Sequence, residues 1–432
     1  MMMENKVINL AILGCGTVGG NVYKLIDRQQ EIFEQKIGCQ IRVKKVLVKN
    51  LTEEKEGIDQ SLMTDDIQEI LSDESIDIVV EMMGGVHPAK EYILRSLKAK
   101  KHVVTANKDV LSMYAEELFE AAAENQLDLK MESVVAGGIP VIAPLLKSLA
   151  GNEIEEVIGI VNGTSNFILT KMAEDGLNYS EAVMEALGEG KAETDPTEDI
   201  DGLDAAKKCA IMASVAFRSW VTTDDVMTVG INRITAADVL YAREMGYVIK
   251  LLTVAKESEG EIVASVYPAL IPKSHPLASV NDHGNAVYIR GDVVGELMLY
   301  GNDAGARSVA GAVVGDVMEI AENIGKGACG RNRKLCYRNL KFKQQSEISN
   351  QFFLRLKVED KPGVLAAVAN VFGVNHVSIK QLLQKSLGSN EAELMIVTEK
   401  VCEQNFRDAL SVLAQMDKIR GVSNVIRVHG LK

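Results

Sequence analysis

No Cys-x-x-Cys pair occurs anywhere in this sequence. Its six cysteines (Cys15, Cys39, Cys209, Cys329, Cys336, Cys402) are scattered, and its six histidines are equally dispersed. With no export signal, such cysteines read as reduced thiols, and no zinc site is suggested. Positive charge is also short: the formal net charge is −13. That argues against nucleic acid or an anionic membrane as partner, but leaves room for an anionic small ligand in a local pocket. The N-terminus "MMMENKVINLAILGCGTVGG" has no basic region, and glycines soon break its short apolar run. It reads as neither signal peptide nor membrane span, so the cytoplasm is the expected location. Low-complexity tracts and short internal repeats are missing as well. What remains is a chain of 432 residues, 47 % hydrophobic and 25 % charged, long enough for two or three well-filled domains.

The first third alternates strand and helix. "VINLAILG", "IRVKKVLVK", "IDIVVEMMGG", "HVVTAN" and "LDLKMESVVAGG" read as extended segments. "VGGNVYKLIDRQQEIF", "AKEYILRSLKAK" and "YAEELFEAAAENQ" carry helical periodicity. Strands rich in Val and Ile, alternating with helices, imply a parallel sheet covered on both faces. From about Pro140 the pattern becomes mixed α/β: a strand "EIEEVIGIVNG", a helix start "TSNFILTKMAED", a helix "LDAAKKCAIMASVAF", then strand-like runs within 221–303. "SVAGAVVGDVMEIAENI" is a small-residue amphipathic helix expected to pack back on the first sheet, which would make the first domain discontinuous. The polar, basic "GRNRKLCYRNLKFKQQSEISN" reads as a linker. After it comes the order βαββαβ, a ferredoxin-like arrangement. The expected domains are 1–140 plus 305–340 for a dinucleotide, 141–304 for substrate and dimerisation, and 351–432 for regulation.

Gly14-Cys15-Gly16-Thr17-Val18-Gly19 is G-x-G-x-x-G between an apolar strand and a helix. That context makes a weak motif a serious one. Glycines allow a tight turn and close backbone approach, and the helix start offers N–H groups to a pyrophosphate. An acid ending the second strand would hold a ribose 2′-hydroxyl. The second strand ends instead in Val48-Lys49-Asn50, and Lys49 favours a 2′-phosphate. NADP is the expected cofactor, with NAD as an alternative; an ordinary exposed loop lysine is the plain reading of Lys49.

The stretch "ETDPTEDIDGLDAAKK", Glu193 to Lys208, gathers carboxylates and ends in a helix start. A solvated acidic loop is one reading. The other is a substrate site that grips an ammonium group and presents a proton-donating lysine. Asp204 and Lys208 are four apart on one helix face, where a surface ion pair is the common outcome. Lys207 lies one position round and reads as exposed or structural. Lys108 follows a strand at its carboxyl end, where α/β folds place ligands. Gly163 and Thr164, in "NGTSN" between strand and helix, could give N–H and hydroxyl donors to a carboxylate. Capping by Thr164 or Ser165 is compatible with that.

Together "LGCGTVGG", "EMMGG", "TANK", "ESVVAGGIP", "NGTSNFIL" and "GKAETDPTEDIDGLDAAKK" resemble homoserine dehydrogenase of the monofunctional, three-domain type, in order and over the whole chain. The dinucleotide motif stands at the start of the sequence, so the fused form with an amino-acid kinase domain ahead of it is not expected. The resemblance implies NAD(P)-dependent interconversion of aspartate 4-semialdehyde and homoserine in threonine, methionine and isoleucine biosynthesis. It implies Lys208, Asp204 and Lys108 as catalytic residues, and Glu193, Asp199, Gly163 and Thr164 as substrate-binding. Gly14, Gly16, Thr17, Val18, Gly19, Lys49, Lys108 and Gly305 would meet the cofactor. "ESVVAGGIP" resembles the family's monovalent-cation site, with Glu132 and the backbone oxygens of Val135, Gly137 and Ile139 around Na⁺. From residue chemistry alone it is a glycine-rich turn. Where the family has a glycine-rich loop then Pro-Thr-Ala-Ser-Ala, this chain has "YGNDAGARSVAGAVVGD", which keeps Gly305 but neither Pro nor Thr.

Residues 351–432 resemble an ACT domain through "DKPGVLAAVANVF", and Gly363 would border an effector site for threonine. A dimerisation module without ligand is the alternative there. A homodimer or homotetramer is expected, with no nucleic-acid or membrane partner. Two competing functions stay in view: another ACT-bearing NAD(P)-dependent dehydrogenase, and a catalytically silent amino-acid sensor on a nucleotide fold. The early glycine loop and the lack of any histidine beside the candidate site argue against the first, and Lys108 with Lys208 against the second.

Overall fold

The computed structural model describes residues 6–53, 55–301, 305–331 and 334–430. The chain forms two compact units. The first takes 1–157, 207–226 and 285–339; the second takes 158–206, 227–284 and 340–432. The discontinuity is thus wider than the 1–140 plus 305–340 division anticipates, because the middle of the chain returns to the first unit twice.

The first unit is built on a parallel sheet of β1 (Lys6–Leu13), β2 (Cys39–Leu47), β3 (Met63–Thr64), β4 (Ile78–Glu81), β5 (His102–Thr105) and β6 (Leu129–Lys130), in the order β3-β2-β1-β4-β5-β6. The order reverses beside β1, which is the switch point where such folds bind ligands at the strands' carboxyl ends. Helices α1 (Thr17–Arg28), α2 (Gln30–Ile37), α3 (Ile67–Leu71), α4 (Ala89–Lys98) and α5 (Lys108–Glu124) alternate with the strands. The segment expected as one helix through Phe33 breaks at Gln29, whose φ/ψ of −108°/21° leaves the helical region. After Lys130 the backbone is not extended as expected: Glu132–Val134 is a 3₁₀ turn and the chain then loops through Ile139.

The chain enters the second unit inside β7 (Ile154–Ile160), followed by α6 (Gly163–Glu174), α7 (Tyr179–Gly188) and α8 (Thr197–Ile200). Helix α9 (Leu203–Phe217) spans the run read as a helix from its sequence. Next come β8 (Met227–Thr228), α10 (Ala236–Glu244) and the long hairpin β9 (Tyr247–Ser258) and β10 (Glu261–Pro272). Antiparallel β11 (Asn285–Gly291) and β12 (Gly295–Gly301) belong to the first unit, as does α11 (Ala306–Lys326). Val313, Val314, Val317 and Ile320 of α11 join Ile8, Leu10, Ile12, Val22 and Ile78 in one buried cluster. Each such side chain contributes roughly 1.5–3 kcal/mol relative to exposure, so α11 is integral to the nucleotide sheet's core.

The last part is β13 (Lys341–Phe342), β14 (Ser349–Glu359), α12 (Val364–Val374), β15 (Ile379–Gly388), β16 (Glu391–Thr398), β17 (Val401–Cys402), α13 (Glu403–Leu413) and β18 (Ile419–Val428). Its main strands order as β18-β14-β16-β15, with helices packing Val364, Val368, Phe372 and Phe406 onto Leu354, Leu394 and Ile396. This is the expected βαββαβ layer. The linker reading needs correction. Backbone N–H groups of Tyr337 and Arg338 bond Arg218 O, Lys341 and Phe342 pair with Glu261 and Ile262 of β10, and β18 extends β10 at Ala269 and Leu270. Polar side chains do not free this segment, because its backbone completes a ladder.

Candidate active site

In the first unit, β1 delivers the glycine loop. Gly14 has φ +93°, and a Cβ there would stand 2.8 Å from Met82 O. A Cβ at Gly19 would stand 2.1 Å from Gly14 O, so the helix can sit this close to the turn only without a side chain. Gly16 faces open space, and no side chain caps α1. The first-turn N–H groups at Thr17 and Val18 therefore have no side-chain acceptor at the cap, a fit to a pyrophosphate. Lys49 is exposed just beyond β2. Lys24 and Lys55, which the sequence reading passed over, also bear on this loop: both exert their charge on the buried Cys15, whose thiol burial pushes up.

The carboxyl ends of β4 and β5 form a polar knot. Glu81, fully buried, accepts from Thr105 Oγ1 at 2.6 Å, Asn107 Nδ2 at 3.3 Å and Met83 N–H at 2.7 Å. Burial raises its carboxyl above the usual range against those hydrogen bonds. Asn107 also donates to Gly85 O and caps α5 by accepting from Val110 N–H. That cap sets Lys108 as the first residue of α5, where the helix dipole disfavours a cation.

Next to it, Asp109 accepts from Gly85 N–H at 3.1 Å and pairs with Lys207 Nζ at 2.7 Å. Lys207 is therefore structural, a half-buried ion pair that fixes the rotation of α9. Successive helix residues are 100° apart, so Lys208 faces elsewhere.

In the second unit, Asn162 organises the carboxylates. It caps α6, accepting from Ser165 N–H at 2.8 Å, while its amide donates to Asp199 Oδ1 at 2.6 Å and Asp204 Oδ2 at 2.8 Å. The cap is Asn162, not the Thr164 or Ser165 weighed from sequence; an Asn directly before Gly-Thr was the missed signal. Asp204 is 3 % exposed and lies in the first turn of α9, one turn before Lys208. Glu193 is exposed on the preceding loop. The Thr164 hydroxyl donates to Lys191 O at 3.0 Å, so the donors left at α6 for a carboxylate are N–H groups. His283 stacks on Phe167 of α6, with ring centroids 4.9 Å apart, and lies against Gly163, which corrects the expectation that no histidine stands beside the candidate site.

The candidate cation loop is in the first unit. Both oxygens of Glu132 are taken up by N–H groups: Oε1 by Val141 and Ile142, Oε2 by Ala143. Its N–H donates to Asp316 Oδ2, and burial, with Glu132 close by, pushes the Asp316 carboxyl up to about 7. The Glu132 side chain is thus an anchor for the 141–143 backbone. The carbonyls of Val135, Gly137 and Ile139 meet no backbone donor among the described residues. Gly305 precedes α11, and its carbonyl accepts from Ser308 Oγ; Asn302–Ala304 of the altered loop lie outside the described residues. Gly363, at φ +86°, begins α12 with open space where a Cβ would stand.

Comparison with known proteins matches these parts. Family models described as "Homoserine dehydrogenase, NAD binding domain", "Homoserine dehydrogenase" and "ACT domain" match residues 14–132, 140–318 and 352–417. The homoserine dehydrogenase of Bacillus subtilis (strain 168) is 39 % identical over 428 residues, covering 98 % of this chain and 99 % of that one. That of Corynebacterium glutamicum is 40 % identical, covering 98 % and 96 %. Among solved structures, a homoserine dehydrogenase from Thiobacillus denitrificans superposes with a TM-score of 0.93 at 34 % identity, covering 99 % of each chain. One from S. aureus at pH 6.0 gives 0.80 at 33 %, covering 99 % of this chain and 100 % of that one. The chain belongs to the homoserine dehydrogenase family, and is an NAD(P)-dependent oxidoreductase acting on a CH–OH group.

Proposed function

We propose that the chain reversibly reduces L-aspartate 4-semialdehyde to L-homoserine, with NADP as the preferred nucleotide and Lys208 as proton donor. The observation that carries this reading is Asp204, buried and held by Asn162 one helical turn ahead of Lys208. A nicotinamide nucleotide held at the glycine loop would supply the hydride. As the aldehyde carbon receives it, charge grows on the carbonyl oxygen; the Lys208 ammonium stabilises that charge and gives its proton there. Asp204 aims the ammonium. Glu193 takes the substrate ammonium, the N–H groups of Gly163 and Thr164 take its carboxylate, and Asp199, fixed by Asn162, borders them. Lys108 holds substrate and nicotinamide from the start of α5.

Lys49 supports NADP, with Lys24 and Lys55 adding positive charge near the same loop. A hard monovalent cation, Na⁺, would take the carbonyls of Val135, Gly137 and Ile139, with the Glu132 carboxylate bracing the backbone rather than binding it. The ACT domain would sense threonine near Gly363, in a homodimer or homotetramer. The test is homoserine-dependent reduction of NADP⁺ and of NAD⁺ at alkaline pH, with and without threonine, against a 2-hydroxy acid. Turnover with homoserine, faster with NADP⁺, is expected. Turnover only with the 2-hydroxy acid would overturn the reading.

A further inference from the structure

His283 sits where the substrate's carboxylate is assigned. His283 lies against Gly163: a Cβ there would meet His283 Nδ1 at 3.2 Å, its carbonyl oxygen at 3.6 Å and its Cα at 3.7 Å. A methyl at position 163 would press on the ring, so the histidine helps explain the glycine. The ring stacks on Phe167 at an interplanar angle of 19°, one turn further along α6. The loop carrying the ring is pinned by a buried hub. Lys250 Nζ, on β9, donates to Asn166 Oδ1 at 3.1 Å, Val280 O at 2.6 Å and Asn281 Oδ1 at 2.9 Å. Asn166 in turn donates to Val280 O and Gly284 O on either side of His283. A stacked ring on a loop tied this way has little freedom.

The ring's two nitrogens are in different settings. Nε2 is buried with no hydrogen-bond partner. A buried N–H without an acceptor costs more than a bare ring nitrogen that has lost only water, so the proton belongs on Nδ1. Burial lowers the imidazole's basicity, as does the nearby Lys191, against Asp282 and Glu189; Lys171 stands on the Phe167 ring at 5.5 Å. The ring is therefore neutral, with an N–H on the nitrogen nearest Gly163, at the start of α6.

We propose that His283 is a substrate-reading residue, donating from Nδ1 to the amino-acid carboxylate beside the Gly163 and Thr164 N–H groups. This rests on the homoserine reading of the site. Its role is affinity and selection, since the carboxylate does not change charge during hydride transfer. A donor bond to a charged group is worth about 1.5–3 kcal/mol, which is roughly 10- to 150-fold in KM.

The experiment compares wild type, His283→Phe and His283→Gln in homoserine oxidation. Phe keeps the stack on Phe167 and removes both nitrogens; Gln keeps an N–H donor. Expected are a KM for homoserine raised at least ~10-fold in His283→Phe, kcat within about twofold, and KM for NADP⁺ unchanged. His283→Gln should recover most of the affinity. A homoserine KM unchanged in His283→Phe overturns the proposal while leaving the function intact. So does a parallel rise in the NADP⁺ KM, or a loss that His283→Gln shares in full, since each marks a packing role. Should His283→Phe not fold, the homoserine KM of His283→Gln decides: near wild type supports the donor, a tenfold rise overturns it. Wild type inactive on homoserine overturns both this and the reading beneath it.

Discussion

Two adjacent lysines carry opposite assignments. Lys207 is spoken for by Asp109 at 2.7 Å, with its side chain 18 % exposed. Lys208 lies one residue on, a turn after Asp204. Replacing Lys208 by Met keeps most of the volume and removes the ammonium. Loss of a general acid costs ~10²–10⁴ in rate, so kcat should fall in that range with nucleotide affinity kept. Lys207→Met should lose stability and retain most of kcat. Steady-state kinetics of the pair decides, and near wild-type kcat in Lys208→Met would make it a bystander. Lys250 supplies a pH test. Burial lowers its ammonium to about 8, opposed by Glu174 and Asp282, from an ordinary value of 10.5. Between those values the unfolded chain binds the proton and the native chain does not, so stability from this group rises with pH. The three oxygens around Nζ oppose the shift, leaving on the order of 1–3 kcal/mol across the window. Urea midpoints of wild type and Lys250→Met, compared at pH 7.5 and 9.5, should move in wild type's favour at the higher pH. A constant difference would mean that the ammonium stays charged.

At the scale of elements, periodicity located what repeats and missed what does not. "LDAAKKCAIMASVAF" gave α9 to the residue, because apolar and small positions recur at helical spacing. "YVIKLLTVAKES" is apolar on both faces and has no period of its own, so β9 was not legible, although it is twelve residues long and mostly buried. "LDLKMESVVAGG" looked extended throughout, yet only Leu129–Lys130 pairs, because the Glu132 carboxylate gathers three later N–H groups and turns the chain. Such a cause lies about ten residues downstream of its effect. Candidates for the site could be named where residue identity suffices, at the glycine loop, Lys108, Asp204 and Lys208. The site was not legible where a side chain's partner is distant in sequence, as for His283 on Phe167. Gly363 shows the same limit in small. A larger residue at that turn would not be crowded, since nothing stands within 4 Å of a Cβ there. The cost of Gly363→Val is conformational instead, because φ +86° is a region β-branched residues avoid. Thermal melting should show α12 and its sheet destabilised by roughly 1–3 kcal/mol, along with any loss of threonine response. A response lost without destabilisation would point to direct ligand contact.

For the molecule as a whole, the second unit decides how regulation can be tested. If the basic segment 330–350 were a free linker, a cut after Leu340 would release an active, unregulated core. The strand pairings argue otherwise. β13 and β18 both pair with β10, and His429 N–H bonds Leu270 O. Asp238 of α10 is fully buried; Arg355 Nε stands 2.9 Å from its Oδ1 without hydrogen-bond alignment, and Asn424 donates to its Oδ2 at 2.8 Å. Removing 341–432 would strip β10 of these partners and leave Asp238 with Thr235 alone, which bonds it through N–H and hydroxyl within the α10 cap. Breaking a buried pair by removing one partner costs ~3–5 kcal/mol, and a bare strand edge invites association. The truncated chain should therefore melt lower than full length and aggregate, with activity falling as it does, measured by scanning calorimetry and light scattering beside turnover. A soluble, fully active truncation that merely ignores threonine would refute this and restore the linker reading. If the prediction holds, threonine regulation is better probed in full-length protein. An effector acts only by binding two states unequally, so threonine affinity should change with bound homoserine and the reverse by the same factor. Calorimetric titration of threonine with and without homoserine measures that factor; a value of one would leave residues 351–432 as an assembly module joined to the catalytic sheet.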